Sequence, residues 1–162
     1  MIEVRAIGGY SEFGRNMTAI RVDDEVIIVD MGIHLENYIR LQGDEDLDVI
    51  STKRLLQANA IPHFEALGDW KELVKAIIPT HAHLDHVGAI PFIANKFDAE
   101  ILCTPYTSAV IDALMKDKKR TLKNPRKVLN PNSSYPISDK IKVDFIHVTH
   151  STPHTAMLAI HT

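Results

Sequence analysis

The 162-residue sequence predicts an α/β fold with a ligand site where strands end. The apolar run 74–78 indicates a buried strand that stops at Pro79, and a helix is predicted to start shortly afterwards. Residues 106–120 carry their apolar side chains on one face, which predicts an amphipathic helix. Residues 140–148 alternate apolar and polar side chains, which predicts a half-buried strand. Open α/β sheets bind ligands at the carboxyl ends of such strands.

The composition is that of an ordinary globular domain. Hydrophobic residues make up 45% of the sequence and charged residues 24%, and the length allows one domain with a genuine core. The net charge of −3 gives no overall basic field for nucleic acid. The single cysteine, Cys103, excludes an internal disulfide and is typical of a reducing compartment. No apolar run approaches the roughly 20 residues of a membrane span, and the N-terminus lacks the apolar core of a signal peptide. We therefore expect a cytoplasmic protein without a membrane partner.

The first thirty residues predict three short strands. Residues 2–7 precede a loop with three glycines, and residues 17–22 and 25–29 are predicted to form a hairpin. The third strand ends at Asp30, a carboxylate at a strand end. Asp30 alone could equally cap a turn or a helix. Beside a metal site, we favour a role in orienting a histidine by a hydrogen bond.

The remaining elements are predicted from shorter patterns. Residues 33–50, which end in an acidic run, indicate an irregular and solvated loop. Ser51 is the predicted N-cap of a helix over 51–59. Further elements are predicted as helices at 70–75 and 90–97 and as strands at 100–103 and 155–160. His34 and His63 have no partners at ligand spacing and are interpreted as structural or surface residues.

Four candidate metal ligands follow the central strand within six positions: His81, His83, Asp85 and His86. Neutral imidazole and carboxylate suit zinc, and also iron or manganese. His81 and His83 can face one ion, and the next two ligands can face a second ion roughly 3.5–4 Å away. The alternative is a set of surface histidines near a helix start, with Asp85 as the cap. Four potential ligands packed so closely after a buried strand favour the metal site.

Two further histidines are candidates for the metal site. His150 stands at the end of the strand over 140–148 and is the predicted third ligand of the ion at His81 and His83. His154 is either a ligand or a substrate contact.

A basic cluster occupies the end of the amphipathic helix and the residues after it: seven of the eighteen lysines and arginines fall in residues 116–127. A solvated helix end that complements the helix dipole is the simpler interpretation. The alternative is a phosphate-contacting patch, with these candidates: Lys118, Lys119 and Arg120.

The motif over 81–86 resembles the metal signature of the metallo-β-lactamase superfamily. That fold is a four-layer αββα sandwich with one or two metal ions between the sheets. The superfamily hydrolyses lactams, thioesters, phosphodiesters and RNA, so the motif implies a metal and a hydrolysis but not a substrate. Residues 8–17, 28–32 and 150–154 resemble three stretches of ribonuclease J in the β-CASP group, nearer to its archaeal branch.

The resemblance implies a 5′→3′ exoribonuclease with some endonuclease activity that acts on single-stranded RNA and is often a homodimer. Two zinc ions would activate a water for attack on the scissile phosphate. One zinc would be held by His81, His83 and His150, and the other by Asp85 and His86. The catalytic residues implied are Asp85, His86 and the underlying Asp30.

The sequence departs from the family pattern towards its end. The family supplies a carboxylate that bridges both metals after the third motif, and no aspartate or glutamate follows Asp144. We therefore expect residues 1–162 to be the N-terminal part of a metallo-β-lactamase domain, the first half of the sandwich, and inactive alone. The last histidine ligand, the β-CASP domain and the second half of the sandwich would lie further on. The alternatives are a hydrolase of this fold with a small thioester or lactam substrate, and a non-catalytic metal-binding module.

Overall fold

A computed structural model describes residues 1–43 and 50–162, and within these ranges nine strands form two sheets. The larger sheet has, in spatial order, β1 (Ile2–Gly8), β2 (Met17–Val22), β3 (Glu25–Val29), β4 (Val74–Ile78), β5 (Glu100–Cys103) and β6 (Arg126–Val128). Strands β1 to β3 pair antiparallel, and β3 to β6 pair parallel. The smaller, antiparallel sheet has β7 (Ser133–Pro136), β8 (Lys142–His147) and β9 (Ala156–His161).

Five α-helices lie in the described ranges: α1 (Leu35–Gly43), α2 (Thr52–Gln57), α3 (Leu84–Val87), α4 (Ile90–Ile93) and α5 (Pro105–Asp117). Short 3₁₀ segments occupy Phe64–Leu73 and Ala94–Lys96. The predicted N-cap of α2 is confirmed, because Ser51 Oγ accepts a hydrogen bond from the Arg54 backbone N–H at 3.3 Å. None of the helices described here has the length and apolar character that crossing a membrane requires.

The core has two parts, one on each face of the larger sheet. The residues of β3, β4 and β5 are mostly apolar and buried, as expected for strands covered on both faces. Ile28 and Ile77 pack on the side of the helices. Ile27 and Ile78 point to the other side and pack against the smaller sheet, where Phe145 is fully buried. Helices, larger sheet and smaller sheet therefore form three successive layers, and the predicted α/β class is confirmed.

Several predicted elements are corrected by the structure. Residues 35–43 are not irregular but form α1, in which Tyr38 is buried and Arg40 pairs with Glu36 at 2.8 Å. The predicted acidic loop at 44–48 lies outside the described residues. The helix predicted at 70–75 is the end of a 3₁₀ segment broken at Gly68, and β4 already begins at Val74. The short strands β6 and β7 were not predicted.

Candidate metal centre

Segments from four parts of the chain meet at the carboxyl end of β4. We call residues 79–86, which follow β4, the metal loop. The Met31 backbone N–H donates to His86 O at 2.7 Å, and the Asn16 N–H donates to Asp85 O at 3.1 Å. From the smaller sheet, the Ala156 N–H donates to Thr80 O at 3.0 Å. These bonds fix the metal loop to the ends of both sheets, where the sequence predicted a ligand site.

Three of the predicted ligands form one compact cluster: His81, His83 and His150. Their candidate ligand nitrogens lie within 4.8 Å of one another. His83 Nδ1 is 3.1 Å from His81 Nε2 and 3.2 Å from His150 Nε2. His81 is buried, His83 is partly exposed and His150 is exposed, so the cluster opens to solvent on one side. Three imidazole nitrogens with an open fourth direction match the donor set of a catalytic zinc site.

Asp85 and His86 lie beside this cluster. The His86 ring centroid is 4.0 Å from that of His81, and His86 Nε2 is 3.4 Å from Asp85 Oδ2. The side-chain amide of Asn16 donates to Asp85 Oδ2 at 3.1 Å and lies 3.2 Å from His86 Nε2. A carboxylate oxygen and an imidazole nitrogen suit a divalent ion, and the arrangement therefore fits the predicted second metal position.

Asp30 lies beside the metal loop and contacts two histidines, His86 directly and His81 through Thr80. It is buried and has a φ of 62°, a left-handed conformation that aspartate tolerates better than most residues. Its carboxylate accepts hydrogen bonds from the Thr80 N–H at 2.8 Å, the Thr80 hydroxyl at 2.9 Å and His86 Nδ1 at 2.8 Å. The Thr80 oxygen is also 2.9 Å from His81 Nδ1. Since a carboxylate can only accept, this network puts the ring hydrogen of both histidines on Nδ1 and the lone pair that a metal requires on Nε2.

The two histidines beside Asp30 have opposite pKa shifts. Burial, aided by the nearby His86, lowers the pKa of His81 to about 4, so that imidazole is neutral at physiological pH. Burial also acts to lower the pKa of His86. The hydrogen bond to Asp30 and the charges of Asp30 and Asp85 outweigh it and raise that pKa above its ordinary value. The neighbouring carboxylates therefore stabilise the protonated form of His86, whereas burial disfavours the protonated form of His81.

The remaining predicted site residues lie outside the three-histidine cluster. His154 has a φ of 57°, and its buried Nδ1 has no hydrogen-bond partner in the described part of the chain. Lys118, Lys119 and Arg120 follow the end of α5 and precede β6. Because β6 runs parallel to β5, this segment lies at the amino ends of the strands, opposite the metal loop. Lys118 also pairs with Asp117 at 2.8 Å.

Arg120 packs into the protein surface. Its guanidinium donates to Ile50 O at 3.2 Å and Pro91 O at 3.5 Å and lies 4.9 Å from the centroid of the Phe92 ring. We expect Arg120→Ala to lower the free energy of unfolding by about 1–3 kcal/mol, since buried carbonyls lose a charged donor. Urea denaturation measures the change, with the exposed Lys116 of α5 replaced by alanine as the control. Equal stability of the two variants would contradict this structural role.

The sequence did not predict three polar residues that contact the ligands: Asn16, Thr80 and Ser151. Ser151 Oγ is 3.1 Å from His83 Nε2. Thr80 and Ser151 adjoin predicted histidine ligands in the sequence, which is the one local signal they offer. Asn16 is separated from Asp85 by 69 positions, and no local pattern connects them.

Comparison with known proteins identifies the family and the relatives of this chain. The family model of the metallo-beta-lactamase superfamily matches residues 10–160. Ribonuclease J of Methanocaldococcus jannaschii is 40% identical over 162 residues, which cover 99% of this chain and 36% of that protein. Ribonuclease J of Pyrococcus abyssi is 35% identical over 164 residues, which cover 100% of this chain and 36% of that protein. The chain therefore spans about a third of the length of these relatives.

Solved structures with low sequence identity show the same fold. A protein of unknown function from Enterococcus faecalis superposes with a TM-score of 0.69 at 19% identity, over 98% of this chain and 40% of the other. An archaeal metallo-beta-lactamase superfamily protein from Sulfolobus tokodaii gives 0.56 at 13% identity, over 98% of this chain and 59% of the other. The family model covers residues 10–160, nearly the whole sequence, and therefore shows that the chain belongs to the metallo-beta-lactamase superfamily.

Proposed function

We propose that this chain is part of a metal-dependent ribonuclease that hydrolyses RNA phosphodiesters. The observation that carries the proposal is the cluster of three histidine nitrogens within 4.8 Å at the carboxyl end of β4. Similarity to ribonucleases J along the whole chain supports RNA as the substrate, rather than a lactam or a thioester. Since the chain spans about a third of those relatives, we propose the activity for a longer protein.

In this proposal the chain contributes ligands to two ions. His81, His83 and His150 would hold one ion, and Asp85 and His86 would contribute to the second. Zinc suits the first position because imidazole nitrogens are among its preferred ligands. When bound, the two ions supply activation of a water molecule and charge stabilisation at the scissile phosphate.

The chain's own residues prepare the site for those ions. Asp30 orients His86 directly and His81 through the Thr80 hydroxyl, so both rings are held before a metal arrives. The Asn16 amide donates to Asp85 Oδ2, which keeps that carboxylate facing His86. We propose Asp85 and His86 as catalytic residues through their contact with the second ion, and Asp30 as the residue that positions His86.

Finer features of the activity rest on the resemblance to ribonuclease J. We propose 5′→3′ exonuclease activity on single-stranded RNA, with some endonuclease activity, by a cytoplasmic homodimer. We also propose that residues 1–162 are the N-terminal part of the metallo-β-lactamase domain, with a β-CASP domain elsewhere in the protein. We propose His154, which follows His150 on the same loop, as a substrate contact. Lys118 and Lys119 would contribute to RNA affinity only where an RNA strand reaches the edge of the sheet opposite the metal loop.

Removal of the metal provides the test. The full-length protein should cleave 5′-labelled single-stranded RNA, lose the activity in a chelator and regain it on addition of zinc. A thioester and a lactam substrate, assayed beside the RNA, test the other known chemistries of the fold. Sustained RNA cleavage by the metal-depleted protein, or turnover of the small substrates alone, would overturn the proposal.

A further inference from the structure

His81, His83 and His86 differ in the group that contacts the ring nitrogen facing away from the cluster. Nδ1 of His86 is held by the Asp30 carboxylate at 2.8 Å. Nδ1 of His81 is held by the Thr80 hydroxyl at 2.9 Å, and Thr80 is itself bound to Asp30. His83 receives nothing from Asp30 in the contacts described. Its outer nitrogen, Nε2, is 3.1 Å from Ser151 Oγ.

We infer that Ser151 is a positioning residue that selects the metal-binding tautomer of His83. His83 Nδ1 faces both His81 Nε2 and His150 Nε2, so Nδ1 must carry the lone pair that a metal requires. The hydrogen of the neutral ring then resides on Nε2, from which it is donated to the Ser151 oxygen. This inference rests on the metal site of the proposed function.

The position of Ser151 gives this bond a second consequence. Ser151 follows His150 on the loop after β8, whereas His83 follows β4 of the larger sheet. The bond therefore holds His83 against the loop that supplies the third ligand nitrogen. Without the Ser151 acceptor, the partly exposed His83 ring can take its other tautomer or rotate. We therefore expect loss of the Ser151 hydroxyl to lower the affinity for the first ion.

Replacement of Ser151 by alanine, with threonine as the variant that keeps the hydroxyl, tests the inference. Ser134→Ala is a matched control, because Ser134 is also exposed and its hydroxyl donates to Asp144 Oδ1 at 2.5 Å, away from the site. Zinc affinity is measured by competition with a chromophoric chelator. Ser151→Ala should bind the first zinc about 10-fold more weakly, as is typical when the partner of a metal-bound histidine is lost. Ser151→Thr and Ser134→Ala should remain close to the wild type.

Nitrogen-15 spectra of the metal-free protein provide a second measurement, since they show which ring nitrogen carries the hydrogen. The wild type should show His83 protonated at Nε2, and Ser151→Ala should show a mixture of tautomers. Unchanged zinc affinity and an unchanged tautomer in Ser151→Ala would overturn the inference while leaving the proposed ribonuclease intact. A wild type that neither binds zinc nor cleaves RNA would overturn both.

Discussion

Replacement of His83 by alanine is expected to reduce RNA hydrolysis by the full-length protein by on the order of 10³-fold or more. The structure places His83 Nδ1 between the ligand nitrogens of His81 and His150, so the variant loses the central donor of the cluster. A bound ion supplies several kcal/mol of transition-state stabilisation, and about 4 kcal/mol corresponds to this factor. The fold should remain, because His83 is partly exposed and lies on a loop. Single-turnover cleavage of labelled RNA and metal analysis measure the loss.

His63→Ala is the control for this variant. His63 is exposed and bonds to Asn59 Oδ1 at 2.8 Å, and it belongs to no part of the metal centre described above. It should retain activity and bound zinc. Near-normal cleavage by His83→Ala protein that contains no metal would show that the cluster is not the reaction centre.

Gly32→Ala should be the most disruptive of the glycine-to-alanine substitutions in this chain. A Cβ atom at Gly32 would lie 1.5 Å from Asp85 O and 2.0 Å from Asp85 C, distances that no rotation of a side chain can relieve. The backbone of the metal loop must move instead, and it is held there by bonds from Asn16 and Met31. Overpacking of a well-packed interior costs about 1–3 kcal/mol, and a clash with fixed backbone costs more.

The expected result is a protein that unfolds at a clearly lower temperature or fails to fold, and that binds zinc poorly if it folds. Thermal unfolding and zinc titration measure the two effects. Gly43→Ala is the matched control, since a Cβ atom there would meet nothing within 4 Å among the described residues and Gly43 ends α1. That control should be as stable as the wild type or slightly more so, because alanine favours the helix. Equal behaviour of the two variants would contradict the packing described at the metal loop.

The sequence predicted those parts of the fold that depend on local patterns. The apolar runs of β3, β4 and β5 and the one-sided helix α5 carry their own periodicity, and all of them are present. Strand β6 has no such pattern: Lys127 and Val128 are exposed, and the strand exists because it pairs with β5. The helix α1 was missed because it has only nine residues, of which four are apolar, so its periodic pattern is short.

The same distinction applies to the metal centre. The four ligands in the metal loop are adjacent in sequence, and the structure brings three of the five predicted ligands into one cluster. Of the residues that hold the ligands in place, Asp30 was predicted to orient a histidine, and it accepts a hydrogen bond from His86 Nδ1. Asn16 and Ser151 could not be predicted, because each of them bonds to a segment far away in the sequence. Asn16 meets Asp85 across 69 positions, and Ser151 meets His83 across 68. These segments meet only in the folded chain, through the pairing of its strands.

The spatial order of the larger sheet has a consequence for synthesis on the ribosome. Each strand from β2 to β6 pairs with the strand that was made just before it, so the sheet can grow in the order in which the chain emerges. The metal loop emerges directly after β4, whereas His150 emerges only after all six strands. A nascent chain therefore acquires its third histidine last, and the proposed zinc site would be complete only when the smaller sheet arrives. Zinc capture by stalled nascent chains of increasing length would report how far residues 1–162 have folded.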